Sequence, residues 1–452
     1  MRYRNEGIVS AEYKEESGNP YMEALPEQLS RVEFNDLIRS SLPSPYGLDK
    51  LSPQERRTKT MDLHKWFQPM DYMYVVYDMM YRAMTATYQS KTIVESVRQL
   101  NAIYMDFRTG RERSLPYVTQ VFSGAVLGVP GIGKTSTIRR CLSLMPQVIV
   151  HTKYQGKEFY TKQINYLVVE CPSDCSIKTM VFNTIAAIDR ALGSDYFTQI
   201  AKSRNLAASA LSAKLKIICM NHHVGVIVID EIQNAVRTAT KTHQTKPLIK
   251  FLVELTNETA TSLVFCGTLD AEELFVQKEH LKRRTRGLRL LPLKYDVSYR
   301  KFITEIWKYQ VTLKESELTE KLMKQIYDLT AGIPAYIVKV VQEAQIQAIL
   351  TGTEKVTYEL MKQAVDMLGI EVPKYYGGNG TSISDFSVKE VEMEDGSGSA
   401  NEADEPVRRF FATKRGRPES ERDDADLLTL WKDETNFLKR IEELGLLERR
   451  WI

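Results

Sequence analysis

Between Val118 and Leu293, short runs of branched apolar residues alternate with longer stretches whose apolar positions recur every three or four residues. The runs Val118–Leu127, Gln147–Val150, Ile164–Glu170, Val224–Asp230 and Ser262–Gly267 predict strands. That alternation predicts an α/β fold, a mostly parallel sheet with helices on both faces. From Val297 to Gly369 the pattern is helical throughout, with Gly332 and Pro334 as a stop and a restart and Thr357 as the N-cap of a helix through Leu368.

Upstream, the Met- and Tyr-rich stretch Tyr72–Tyr81 leads into Val94, Val97 and Leu100 at helical spacing, a stripe that reads as core. Residues 1–70 mix Pro, Ser and charge with short apolar pieces such as Leu37-Ile38 and Trp66-Phe67, and predict an arm with local helices and little core of its own. After Pro373 come Gly377-Gly378-Asn379-Gly380, an acidic run, Gly396-Ser397-Gly398-Ser399 and the basic cluster Lys414-Arg415-Gly416-Arg417-Pro418. Apolar surface there is too sparse to offset chain ordering, which predicts a disordered linker. Leu427, Trp431, Leu438, Ile441 and Leu444 then form one helical stripe behind Asp423-Asp424. The expected organisation is an arm over 1–70 that meets a partner, a core over 71–293, a helical unit over 294–370, a linker over 371–424 and an interaction helix over 425–452.

The composition of the 452 residues, 43% apolar and 26% charged, excludes a collagen-like or wholly disordered chain and accommodates two or three domains. A net charge of +3 is too small to argue nucleic-acid binding, so any such contact must come from a local patch. The five cysteines are odd in number, scattered, and in several cases inside apolar runs, which argues against a disulfide framework. Cys171 and Cys175 read as half a metal site, but no second Cys or His pair stands at zinc-like spacing. The N-terminus lacks an apolar signal region and no apolar run approaches a membrane span, so a reducing, cytoplasmic setting is expected.

Chemistry is concentrated in Gly128-Val129-Pro130-Gly131-Ile132-Gly133-Lys134-Thr135, followed by Ser136. It matches GxxxxGK[ST] in full and lies after a predicted strand and before a helix, as phosphate binding requires. Glycines let successive N–H groups curl around phosphate oxygens, Lys134 adds a point charge, and Thr135 offers a hydroxyl to Mg²⁺. Downstream, the dry strand Val226-Ile227-Val228-Ile229 ends in Asp230 and Glu231. Asp230 is expected to hold Mg²⁺ and Glu231 to act as general base; the alternative is that Asp230 only caps the next helix. Thr268, after the strand 262–267, reads equally as a γ-phosphate sensor or as an N-cap. The basic stretch Lys282–Arg289 is either a solvated face or, through Arg284 and then Arg283 or Arg286, a finger that reaches a neighbouring subunit's phosphate.

With these motifs in order, residues 71–368 resemble an AAA+ ATPase core with a helical lid. Four further segments, Asn19–Pro26, Met145–His151, Ala187–Tyr196 and Ile229–Gln233, resemble the TnsC family, target-selection regulators of Tn-seven-like bacterial transposons. The likeness runs from residue 19 to about 370. It implies a bacterial protein that binds ATP and Mg²⁺, assembles with itself as a ring or filament around double-stranded DNA, receives a target-selection protein, and engages the transposase through its tail. It also implies sequence-independent grip on the DNA backbone by Lys153, Lys157 and Lys162 in a hairpin after His151, and by Lys178 and Thr179 at a helix start; the alternative is an ordinary charged surface. One departure is that Gly332-Ile333-Pro334 is followed by Ala335-Tyr336 rather than the arginine many such lids carry, leaving Lys339 as a weak substitute. Arg415-Gly416-Arg417-Pro418 resembles an AT-hook core or is a basic linker. Two other readings stand beside this one. A replication initiator or loader usually carries a winged helix after the lid, where this chain becomes rich in Gly, Ser and Asp. A nucleotide-dependent scaffold would not need Glu231.

Overall fold

The structure is a computed structural model that describes residues 7–14, 18–92, 123–202, 207–235, 245–272, 274 and 285–371, and the backbone of Lys389–Val391. Strand β1 (Ile8–Ser10) and the arm helices α1 (Pro20–Glu23), α2 (Arg31–Ile38) and α3 (Pro53–Lys59) precede α4 (Asp71–Ser90). The arm helices start on side chains that satisfy first-turn N–H groups: Asn19, then Ser30 and Ser52, which form capping boxes with Glu33 and Glu55. Next come β2 (Ser123–Gly128), α5 (Lys134–Leu142), the hairpin β3 (Val148–Tyr154) and β4 (Lys157–Ile164), and β5 (Tyr166–Glu170). Helices α6 (Ile177–Leu192), α7 (Tyr196–Ala201) and α8 (Ala208–Asn221) lead to β6 (Val226–Asp230), α9 (Thr245–Thr259), β7 (Ser262–Gly267) and β8 (Thr285–Leu290). Helices α10 (Val297–Trp307), α11 (Glu320–Thr330), α12 (Pro334–Leu350) and α13 (Tyr358–Met367) follow, then β9 (Lys389–Val391).

The main sheet runs β5-β6-β7-β2-β8-β9, parallel except for β9. Every residue of β2 and β7 is buried, because helices cover both faces. On one face Ile185, Ile188, Leu215 and Leu252 of α6, α8 and α9 meet Ile227, Ile229, Leu263 and Phe265. On the other, Tyr72, Val76 and Met80 of α4 and Ile138 of α5 meet Val126, Val228, Val264 and Cys266. Arm residues Tyr21, Phe34 and Ile38 join this second layer. The four last helices share a separate core, into which the arm inserts Leu63 and packs Trp66 edge-on against Phe302 with ring centroids 4.8 Å apart.

Several expectations change. Residues 118–122 lie outside the described set and the first strand begins at Ser123. The run 164–170 divides: Ile164 closes β4, and the fully buried Asn165 turns the chain into β5. A strand that the runs did not predict follows 262–267, and it takes up the second half of the basic stretch Lys282–Arg289. Thr285–Leu290 pairs with β2 from Ser123↔Thr285 to Gly128↔Leu290. Its alternation is carried by buried Leu288 and Leu290 around Arg289, and the cationic residues mask it in the sequence. Within the expected linker, Lys389–Val391 takes up the free edge of β8, whose unpaired backbone groups favour a further strand. The second half of the stripe over 94–100 and the helix over 425–452 lie outside the described residues.

Candidate functional site

The loop after β2 turns on Gly131 and Gly133, at φ 82° and 95°, where side chains are strained, and Gly133 is the N-cap of α5. Lys134 Nζ donates to the carbonyls of Gly128 and Val129 at 2.9 and 3.1 Å. Burial pulls its ammonium below the ordinary lysine range, opposed by Cys266, Glu231 and Asp230. The loop is fixed from three sides. Val129 N–H donates to Leu290 O of β8 at 3.3 Å, the Tyr72 hydroxyl to Ile132 O at 2.9 Å, and Ala335 N–H at the start of α12 to Gly131 O at 3.1 Å. Arg140 of α5 donates to Ile38 O at 3.0 Å and lies over the Phe67 ring at 4.0 Å, tying the phosphate-loop helix to the arm.

Across the sheet, Thr135 Oγ1 donates to Asp230 Oδ2 at 3.0 Å. A hydroxyl and a carboxylate at this separation, beside the glycine loop, form an oxygen donor pair suited to Mg²⁺. Asp230 Oδ1 accepts from Glu231 N–H at 3.0 Å. Glu231 stands at φ 56°, a left-handed conformation that costs of order 1–3 kcal/mol for a residue with a Cβ and gathers at functional positions. Its carboxylate accepts from Gln233 Nε2, and Gln233 Oε1 accepts from Thr268 N–H at 3.1 Å. The buried Cys266 thiol is pushed up by burial first and then by the neighbouring Asp230 charge. Thr268 is the N-cap of a short 3-10 turn, and its hydroxyl donates to Asp270 at 3.4 Å.

The predicted nucleotide residues therefore converge: Gly128, Pro130, Gly131, Ile132, Gly133, Lys134, Thr135 and Ser136 on one connection, Asp230, Glu231 and Thr268 at the ends of two nearby strands. Arg283 and Arg284 lie outside the described residues, as does the side chain of Arg286. Arg289 is paired with Glu272 of the same chain. In the hairpin, Tyr154 and Lys157 flank a tight turn at Gln155 and Gly156, both at positive φ, Lys153 pairs with Glu158 one step back, and Tyr160 is exposed on the same strand as Lys162. Lys178 is exposed in the first turn of α6, whereas the Thr179 hydroxyl is given to Asp174 at 3.0 Å. Lys339 is exposed on α12, and the lid meets the loop through the Ala335 backbone instead. Sequence reasoning missed Tyr72, Arg140 and Gln233. Of these, only Gln233, two places after Glu231, stood close enough to a motif to be found.

Sheet order, loop and carboxylates together define an AAA+ P-loop fold, a parallel sheet flanked by helices with its phosphate loop after the central β2. Residues 122–275 match the family described as AAA domain. No curated protein matches the chain. Among solved structures, the FIGL-1 AAA domain is 16% identical over 63% of this chain and 83% of its own, with a TM-score of 0.34. The Aeropyrum pernix ORC2 protein, solved with ADPNP and ADP, is 15% identical over 60% and 67%, with a TM-score of 0.36. Drosophila ORC bound to DNA is 15% identical over 78% and 72%, with a TM-score of 0.37. At these scores the likenesses carry no information on what this chain binds. No helix among the described residues is long and apolar enough to cross a membrane.

Proposed function

We propose that this chain is an ATPase that regulates DNA transposition, assembling on duplex DNA with ATP, receiving a target-selection protein and engaging a transposase through its C-terminal segment. The hydrolytic part of the reading is carried by the Thr135–Asp230 contact with Glu231 beside it. The transposition part is supported by the resemblance of the four sequence segments.

Gly131, Gly133 and the first turn of α5 would receive the phosphates on backbone N–H groups, and Lys134 would exchange its loop carbonyls for phosphate oxygens. Thr135 and Asp230 would hold Mg²⁺, which when bound neutralises charge on the phosphates. Glu231 would take the proton of the attacking water as its oxygen bonds to the γ phosphorus; the bond to the bridging oxygen breaks and ADP leaves with that electron pair. Thr268 would contact the γ phosphate, and Arg284, with Arg283 or Arg286 behind it, would reach the pocket of a neighbouring subunit. Lys153, Lys157, Lys162 and Lys178, with Thr179, would meet DNA phosphates, giving binding with little sequence preference and steep salt dependence.

Filter binding and phosphate release on two variants test this. Lys134→Ala is expected to abolish nucleotide-dependent DNA binding; Glu231→Gln is expected to keep it while turnover falls by about 100-fold or more. Undiminished turnover in Glu231→Gln removes that residue from catalysis, and a strong preference for one sequence among random duplexes counts against backbone-directed binding.

A further inference from the structure

Gln233 is 4% exposed, and both ends of its carboxamide are engaged. Oε1 accepts from Thr268 N–H at 3.1 Å and Nε2 donates to a Glu231 carboxylate oxygen. A backbone N–H can only donate, so the oxygen must face the end of β7 and the amide donor must face Glu231; the network leaves no flipped alternative. Gly267 admits the amide, since a Cβ there would lie 2.5 Å from Gln233 Oε1 and 2.8 Å from Ile232 Cγ2. The backbone beneath is pinned by Ile232 N–H to Cys266 O at 3.0 Å. Glu231 itself is exposed, and a free glutamate would sample many rotamers.

We infer that Gln233 is a positioning residue for ATP hydrolysis, holding the Glu231 carboxylate in one orientation and tying that orientation to the strand end that bears Thr268. The water-activating group and that strand end then move as a unit. This rests on the hydrolytic reading above. A misplaced general base is costly, because the reaction needs it within hydrogen-bond reach of the water.

Two variants and a double-mutant cycle test the inference, read by single-turnover hydrolysis and separately by affinity for a slowly hydrolysed ATP analogue. Gln233→Glu keeps the length and the oxygen facing Thr268 and removes the donor; Gln233→Ala removes both bonds. Each is expected to slow hydrolysis about ten-fold or more while analogue affinity stays within about two-fold of the unsubstituted protein. In a Glu231→Gln background, Gln233→Ala is expected to cost less than about two-fold, because the group it positions is gone. Equal losses in both backgrounds, or hydrolysis undiminished in Gln233→Ala while Glu231→Gln is slow, overturn the positioning role and leave the hydrolytic reading standing. Full hydrolysis in Glu231→Gln overturns both.

Discussion

At the scale of single residues, the site depends on close approaches as much as on charged groups. Gly267 is the clearest case, because the two tightest contacts of a methyl group there are side-chain atoms, the movable end of Gln233 at 2.5 Å and a branch of Ile232 at 2.8 Å, with the Ile232 backbone nitrogen further off at 3.3 Å. Gly267→Ala is therefore expected to fold, with thermal stability lowered by no more than about 1–3 kcal/mol as overpacking, while the Gln233 bonds are broken and hydrolysis falls as in Gln233→Ala. Calorimetry and phosphate release on the same preparation check this; normal turnover with an intact fold would show that the amide can be displaced without consequence. The phosphate loop and the two carboxylates were legible in the sequence because their chemistry lies within eight consecutive positions and at one strand end. Tyr72 and Arg140 were not, since their partners Ile132 and Ile38 are distant in the chain and an aromatic-rich stretch or a helix arginine announces no such contact.

Among elements, the arm does more than the sequence pattern suggested. Its α3 places Arg56, 2% exposed, in a two-pronged pair with Glu354 between α12 and α13, at 2.5 and 2.7 Å. The arm docks on the hairpin through Tyr13 to His151 at 2.6 Å and through Gln163 Nε2, which donates to Tyr21 O at 3.0 Å; His151 meets Gln163 at 2.8 Å within the hairpin, and the Tyr21 hydroxyl meets His223, between α8 and β6, at 2.8 Å. Behind them Lys91, 1% exposed, donates to Val224 O at 2.8 Å. Burial lowers the Lys91 amine to about 7 and the His151 ring to about 4. Both shifts have the same sign. The unfolded chain holds the extra proton from about 7 to about 10.4 at Lys91 and from about 4 to about 6.5 at His151, so stability rises with pH through each window. Below about pH 7 the full cost of charging Lys91 is borne. In Lys91→Met, which keeps the bulk and loses the amine, the gain in melting temperature between pH 7 and pH 9 is expected to shrink. An unchanged gain would place the pH dependence elsewhere. The helical stops at Gly332 and Pro334 and the cap at Thr357 were readable because the signals are local. Strand β8 was not, because its pairing with β2 is long-range and its apolar alternation is interrupted by arginines.

For the molecule as a whole, the arm contributes side chains to two cores, one built on the sheet and one on the last four helices, and Ala335 of the last four helices separately meets the phosphate loop. The α/β class was legible because period-2 and period-3.6 runs alternate along the chain; the proposed assembly and DNA contacts rest instead on the resemblance of the four segments, because surfaces that meet partners leave no periodic signal. Nucleotide-dependent self-assembly on duplex DNA, as proposed, is tested most directly by electron microscopy of the full chain with duplex DNA and a slowly hydrolysed ATP analogue. The expected images are rings or filaments encircling the duplex, absent without nucleotide and absent in Lys134→Ala. Isolated subunits on DNA, or assemblies indifferent to nucleotide, would contradict it.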